Sequence, residues 1–382
     1  MENYIVSARK YRPSTFESVV GQRALTTTLK NAIATQKLAH AYLFCGPRGV
    51  GKTTCARIFA KTINCMTPTA DGEACNECES CVAFNEQRSY NIHELDAASN
   101  NSVDDIRQLV EQVRIPPQIG KYKVYIIDEA HMITKEAFNA LLKIMEEPPE
   151  HLIFILATTE IDSIPITILS RTQRYEFKRI ELGAIEGNLK RIALDMGVEI
   201  SDEASHSIAV MADGAMRDAL SLFDQVIAGN QKVITQDIID KILGTVGFDR
   251  VYILTKHIFE NDSKSALLYL EEIFGDGKDA GTLLKELLEY FRNLLIFMTT
   301  QEESFLQMNS EQKDCIRELV KNVSVQRILD SIEILLYADE QIKKSDYAEI
   351  LLEAAIVRLV NFVSDKDMLS RLEAVESKTK AI

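Results

Sequence analysis

Two short runs in this 382-residue chain carry the residue types that handle phosphate chemistry. The first, GPRGVGKTT at 46–54, fits G-x-x-x-x-G-K-[ST] with Lys52 and Thr53 in the last fixed positions. Gly46, Gly49 and Gly51 allow the backbone to aim N–H groups at an anion, and Pro47, Arg48, Val50 and Thr54 complete the loop. A helix opening behind such a loop adds the positive end of its dipole. The spacing sets Lys52 on the β- and γ-phosphates of a nucleotide and gives the Thr53 hydroxyl to Mg²⁺. The second run is VYIIDEAH at 124–131. Its apolar residues bury a strand and bring Asp128 out at the C-terminal end, where a carboxylate completes the Mg²⁺ shell. Glu129 beside it is placed to orient or deprotonate an attacking water. Adjacent acids at a strand end can instead cap the next helix, but beside an intact phosphate loop the hydrolytic reading is stronger. Thr158 and Thr159 end a later apolar run, within reach of the γ-phosphate or the water. Arg171 in ILSRTQRYEF and Arg217 in DGAMRDAL can stabilise charge on a transferring phosphoryl group. For either arginine alone, a surface ion pair is the plainer reading. His131 has no evident role and reads as packed or solvated.

A third cluster is of a different kind. NCMTPTADGEACNECESC at 64–81 holds Cys65, Cys75, Cys78 and Cys81 in the spacing C-x9-C-x2-C-x2-C. Four thiols suit closed, tetrahedral Zn²⁺. An iron–sulfur cluster is the main competitor, because C-x2-C-x2-C opens the ferredoxin run. Its continuation is missing, since Asn85 stands where the next cysteine belongs. Redox chemistry at C-x-x-C calls for a thioredoxin-like setting, which a nucleotide domain is not. The insert at 64–82 therefore reads as a metal clip that folds a segment too polar to build its own core. Cys45, Cys55 and Cys315 lie in apolar stretches and are expected to be small buried hydrophobes.

These residues need a frame. HAYLFCG, NIHELDA, KVYIIDEA, HLIFILATT and RYEFKRI read as strands, and 52–63, 103–113 and 134–146 as helices between them. Near-continuous apolar runs belong to strands covered on both faces, so the pattern predicts an α/β domain with a largely parallel sheet. Residues 1–36 form a preface, KYRPSTFESVVGQ and then a helix. From about 181 the strands stop. Ser201 caps a helix over 202–212, another covers 216–228, and Thr235 opens one ending at Gly244. Beyond Gly247 come five or six longer helices with apolar stripes. The expected domains are 1–180 with the cysteine insert, a helical lid at 181–245, an all-α domain at 246–370, and a tail at 371–382.

The charge is uneven. Residues 1–180 hold 21 Lys/Arg and 21 Asp/Glu, while 181–382 hold 22 against 36, which accounts for the whole net charge of −14. Any contact with nucleic acid belongs to the neutral half. The absence of a signal sequence or an 18-residue apolar run reads as a chain made and kept in the cytosol, with no membrane partner.

Together the phosphate loop, the Asp-Glu strand, the polar strand end, the arginine and the helical lid with its second arginine resemble the AAA+ ATPases. More narrowly, RKYRPSTFESVVGQ, HAYLFCGPRGVGKTT, the four-cysteine insert, DEAHMITKEAFNALLKIMEEPPEH, LATTEIDSIPITILSR and GAMRDALSLFDQ resemble the bacterial clamp-loader ATPases, the gamma/tau family of DNA polymerase III subunits. The resemblance is strong over 4–245 and only architectural beyond. It implies ATP as the nucleotide, a hetero-oligomeric ring with other clamp-loader subunits, and binding to the sliding clamp, to primer–template DNA and to the polymerase core. It implies that Arg171 is a finger reaching the ATP of a neighbouring subunit and that Arg217 contacts the phosphates of its own. Thr159 matches the sensor on the fourth strand, Tyr11, Val19, Val50 and Met216 the adenine and ribose pocket, and the third domain the collar that holds the ring together. Thr172 replaces the usual cysteine after the finger. Asn100, Asn101 and Ser102, with Arg107 a turn further on, stand where basic residues often face DNA; Ser102 is expected to cap a helix whose free N–H groups suit phosphate. The family's longer form carries extra domains, and SKTKAI shows no clear domain close. Two other readings remain: another AAA+ DNA motor, such as a branch-migration ATPase, and a ring scaffold without hydrolysis.

Overall fold

The structure, a computed structural model, describes residues 6–229, 231–302, 306, 308, 310–321 and 323–361. The expected tail at 371–382 and the end of the expected third domain lie outside the described residues. The chain divides into two compact units, residues 1–236 and 237–382.

In the first unit, short helix α1 (Ser7–Lys10) and helix α2 (Arg23–Ala34) precede strand β1 (Ala41–Cys45). Then come α3 (Lys52–Ile63), α4 (Glu79–Asn85), β2 (Ile92–Asp96), α5 (Val103–Gln112), β3 (Lys123–Asp128), α6 (Lys135–Glu146), β4 (Leu152–Thr158), α7 (Ile166–Leu169) and β5 (Gln173–Glu176). The five strands form one parallel sheet in the order β2-β3-β4-β1-β5. Alternation along each strand feeds two cores. Tyr42, Phe44, Val124, Ile126, Ile153 and Ile155 pack on the α2 and α3 side. Ala41, Leu43, Tyr125, Ile127, Phe154 and Leu156 pack on the α5 and α6 side. Both faces are covered, so the strand sequences read as unbroken apolar runs. β5 is the exception and is shorter than RYEFKRI predicts: only Tyr175 of its residues is buried. Helix starts follow local chemistry. Ser102 and Asp105 form a capping box on α5, and Thr134 accepts the Ala137 N–H to open α6.

Helices α8 (Leu182–Asp195), α9 (Asp202–Met211) and α10 (Met216–Ile227) follow, with Ser201 capping α9 as expected. The strands do not stop at 181. β6 (Glu199–Ile200) and β7 (Val233–Ile234) form a small parallel pair, too short to leave a period in the sequence.

The units part at the start of α11 (Gln236–Ile242), ahead of the expected boundary at 245/246. The second unit holds α12 (Phe248–Phe259), α13 (Ser263–Gly275), α14 (Ala280–Thr300), α15 (Ser310–Val320), α16 (Val325–Ile342) and α17 (Ala348–Val360) around a single apolar core. Glu286 of α14 accepts the N–H groups of Val246 and Gly247 at 2.9 and 3.1 Å, which fixes the start of α12. Cys315 is only half-buried, unlike the buried Cys45 and Cys55. Among the described residues, no helix is long and apolar enough to cross a membrane.

Candidate functional site

The parallel sheet delivers the ends of β1, β3 and β4 to one edge, where α/β folds place their ligands. β1 runs directly into the glycine loop. Gly46, Gly49 and Gly51 all have positive φ, at 143°, 76° and 103°. A Cβ on Gly46 would lie 2.3 Å from the Phe177 carbonyl oxygen, so this position needs glycine for space as well as for conformation. Gly51 leads into α3, whose first-turn N–H groups face the loop.

Lys52 is 6% exposed, and its Nζ donates to the carbonyls of Gly46 and Pro47 at 2.8 and 2.7 Å. Burial lowers its pKa, while Glu129 and then Asp128 oppose that shift. The Thr53 hydroxyl donates to Asp128 Oδ2 at 2.7 Å, so a hydroxyl and a carboxylate from different elements converge on one point. Hard oxygen donors in that pairing fit Mg²⁺. Glu129 sits in the left-handed region, at φ 47°, and heads a 3-10 turn at Ala130–Met132. This unfavourable conformation turns its carboxylate toward the β4 end, where the Thr159 hydroxyl donates to Glu129 Oε2 at 3.4 Å.

A cavity of roughly 330 Å³ opens over this edge. It is lined by Arg48, Gly49, Val50, Gly51, Lys52, Thr53, Thr54, Asp128 and Glu129, with Tyr11, Val19, Met216 and Arg217 around the rest. The lid closes one side: the Arg217 N–H donates to the Gly49 carbonyl at 3.3 Å, and Asn188 of α8 contacts the Met216 sulfur at 3.1 Å. Tyr11 donates to Asp195 at 2.6 Å. Three expected residues stand off the lining. Gly46 and Pro47 act through their carbonyls on Lys52, and Thr159 through Glu129. Arg171 lies elsewhere, donating to Glu146 Oε1 at 2.9 Å and to the Thr167 carbonyl at 2.8 Å.

The sequence reading missed several residues. Arg12, Ser14 and Ser18 of the preface and Arg191 of the lid also line the cavity. A run of basic and proline residues before α2 was the available signal for Arg12; nothing periodic marked the others. His131 is packed rather than solvated, and it makes contacts the sequence did not show. Its Nδ1 lies 3.2 Å from Thr158 Oγ1 and 3.6 Å from Glu129 Oε2. At the N-terminus of α5, Ser102 is the expected cap. The Asp105 N–H donates to Ser102 Oγ and the Ser102 N–H donates to Asp105 Oδ2, Asp104 adds a second acid in the first turn, and Arg107 pairs with Asp104 at 3.3 Å. That turn presents carboxylates where a phosphate was expected.

The four thiols meet in one place. Cys65 Sγ lies 3.5 Å from Cys75 Sγ and 4.0 Å from Cys78 Sγ, and Cys75 Sγ lies 4.0 Å from Cys81 Sγ. All four sulfurs fall within 4.8 Å of one another. A tetrahedron with zinc–sulfur bonds of about 2.3 Å has sulfurs about 3.8 Å apart, so the donor set fits Zn²⁺. Hydrogen bonding favours thiolate at Cys75, whereas burial pushes the Cys65 and Cys81 thiols up. The Thr67 hydroxyl, then the N–H groups of Glu77 and Cys78, bring the Cys75 thiol down to about 5. Buried Lys61 of α3 supplies a positive charge nearby, with Nζ 2.6 Å from Asn76 Oδ1. Cys81 rides on α4, a helix within the insert that the sequence reading did not foresee.

Family descriptions match along the chain: DNA polymerase III, delta subunit, over 21–181; DNA polymerase III clamp loader subunit, ATPase lid domain, over 184–232; and DNA polymerase III subunits gamma and tau domain III over 234–376. DNA polymerase III subunit gamma of Buchnera aphidicola subsp. Acyrthosiphon pisum (strain APS) is 32% identical over 365 residues, covering 94% of this chain and 100% of that protein. The chain belongs to the gamma/tau family of DNA polymerase III subunits. DNA polymerase III subunit tau of Bacillus subtilis (strain 168) is 42% identical over 359 residues, 94% of this chain and 63% of that one. The Escherichia coli (strain K12) tau subunit is 39% identical over 286 residues, 75% of this chain and 44% of that one. The chain thus spans about half the length of these tau relatives. Likeness to the family continues through 234–376, past 245, beyond which the sequence showed only an architectural resemblance. Among solved structures, the Thermotoga maritima RuvB Holliday junction branch migration motor has 24% identity and a TM-score of 0.46, covering 72% of this chain and 87% of that one.

Proposed function

We propose that this chain is the ATP-hydrolysing motor subunit of a bacterial clamp loader, working in the cytoplasm. In this reading ATP binding assembles a ring with other clamp-loader subunits that grips and opens the sliding clamp. Primer–template DNA, held by its backbone, then triggers hydrolysis, and the clamp closes on the duplex beside the polymerase core. The observation that carries it is the convergence of Lys52, Thr53, Asp128 and Glu129 on one cavity capped by Arg217, in a chain of the gamma/tau family.

The residues take these parts. Gly46 to Thr54 cradle the phosphates with backbone N–H groups, and Lys52 leaves the Gly46 and Pro47 carbonyls to meet the β- and γ-phosphates. Thr53 and Asp128 would hold Mg²⁺, which would supply positive charge to a transferring phosphoryl group. Glu129 orients the water, with Thr159 steadying its carboxylate. Arg217 binds the nucleotide of its own subunit, and Arg171, standing off the cavity, serves that of a neighbour. Tyr11, Val19, Val50 and Met216 receive the base and sugar. Cys65, Cys75, Cys78 and Cys81 hold Zn²⁺ as a structural clip. Residues 1–180 are the ATP-binding domain, 181–245 the lid and 246–370 the collar.

ATP turnover by the assembled complex, with and without sliding clamp and primed DNA, tests the reading. Stimulation by the two together supports it. Turnover that ignores them sinks it, and an absence of any turnover favours a scaffold.

A further inference from the structure

Glu73, two residues before Cys75, has no part in the chemistry above. It is 8% exposed although charged. Its Oε2 accepts the Phe16 N–H at 3.0 Å, its Oε1 accepts the Glu17 N–H at 3.2 Å, and Lys30 Nζ of α2 lies 3.4 Å from Oε1. Those two amides belong to an irregular turn in which the Val19 N–H donates to the Phe16 carbonyl at 3.3 Å. Pro13, Ser14, Ser18, Val19 and Val20 of the same turn line the nucleotide cavity. A wall with neither helix nor strand must find other acceptors for its N–H groups, and at 16 and 17 Glu73 supplies them.

The clip in turn fixes Glu73. Its N–H donates to Thr69 Oγ1 at 3.1 Å, and its carbonyl accepts the Thr69 N–H at 3.0 Å. The next residue, Ala74, is buried with Cys65 and Cys81. The base of the insert is tied to the segment leading into β3, where Asn64 Oδ1 accepts the N–H groups of Lys121 and Tyr122 at 3.1 and 2.9 Å. A closed clip on a fixed base therefore holds the Glu73 carboxylate in one place, under the cavity wall.

We propose that the four-cysteine clip positions the wall of the nucleotide cavity through Glu73, so that metal in the thiol centre raises nucleotide affinity. The proposal rests on the reading that this cavity takes a nucleotide. Glu73 touches no ligand and is a positioning residue. Removing it strips acceptors from two amides, one of them in the buried Phe16, and frees the wall.

The test uses the full chain loaded with zinc, equilibrium binding of a fluorescent ATP analogue, and amide exchange at residues 13–20. Glu73→Ala is expected to raise Kd about tenfold, the scale of one buried hydrogen-bonding group left unpaired. It should also speed exchange at Phe16 and Glu17. Glu73→Gln keeps one acceptor oxygen and falls between. Chelating the zinc should raise Kd by a similar factor in the wild type and add little in Glu73→Ala. Wild-type Kd and exchange in Glu73→Gln and Glu73→Ala proteins that melt normally would overturn the proposal. So would a chelator effect as large in Glu73→Ala as in the wild type. If Glu73→Ala fails to fold, Glu73→Gln decides. A wild-type chain that binds no nucleotide overturns the cavity reading, and this proposal with it, whereas binding unaffected in the variants overturns this proposal alone.

Discussion

At the scale of the residue, the site depends on groups held in costly states. Lys52 is buried and satisfied by loop carbonyls, which under the proposed function it exchanges for phosphate oxygens. Lys52→Ala is expected to cut ATP turnover about 10²-fold or more, measured as phosphate release by the assembled complex. Gly46→Ala should be damaging for a different reason. Its φ of 143° and the 2.3 Å approach of a Cβ to Phe177 oxygen force the loop to shift. We expect a stability loss of about 1–3 kcal/mol by denaturant unfolding, together with lost nucleotide binding. Lys52 and Asp128 were legible because the chemistry fixes both type and spacing. The contacts of His131 were not, because they join the ends of β3 and β4, which are distant in sequence.

At the scale of the element, legibility followed burial. β3 and β4 are covered on both faces and announce themselves as apolar runs, whereas β5 buries only Tyr175 and β6 and β7 are two residues each. The cavity wall at 13–20 belongs to no helix or strand, so no period could reveal Ser14 or Ser18 in the lining. The insert was recognisable from its thiols, but its own helix and its reach to the wall were not. Zinc chelation is expected to speed amide exchange across 64–82 first. Residues 13–20 should follow, with the sheet strands unchanged. Loss of turnover on chelation without such loosening would contradict a structural role. α7 ends just before Arg171, whose guanidinium holds Glu146 of α6 on the surface. In an assembled ring, Arg171→Ala is expected to lower turnover about 10³-fold while ATP binding stays within about twofold. Equal loss of binding would contradict its service to a neighbouring subunit.

At the scale of the whole molecule, charge and site residues are unevenly spread along the chain. The neutral residues 1–180 carry the five-stranded sheet, the thiol centre and most of the cavity lining, while the acidic remainder is mostly helix and adds Asn188, Arg191, Met216 and Arg217 to that lining. Fold class was readable from the alternation of runs and the later helical stripes, while beyond 245 the likeness to the family was readable only as architecture, because packing stripes look alike in any helical domain. The central claim is that ATP used at this site places a clamp on DNA. Its most direct test is the amount of sliding clamp retained on primed circular DNA after incubation with the assembled complex and ATP. Wild-type complex should load the clamp, and complex carrying Lys52→Ala at this subunit should leave the DNA bare. Equal clamp retention with Lys52→Ala, or without ATP, would contradict the account.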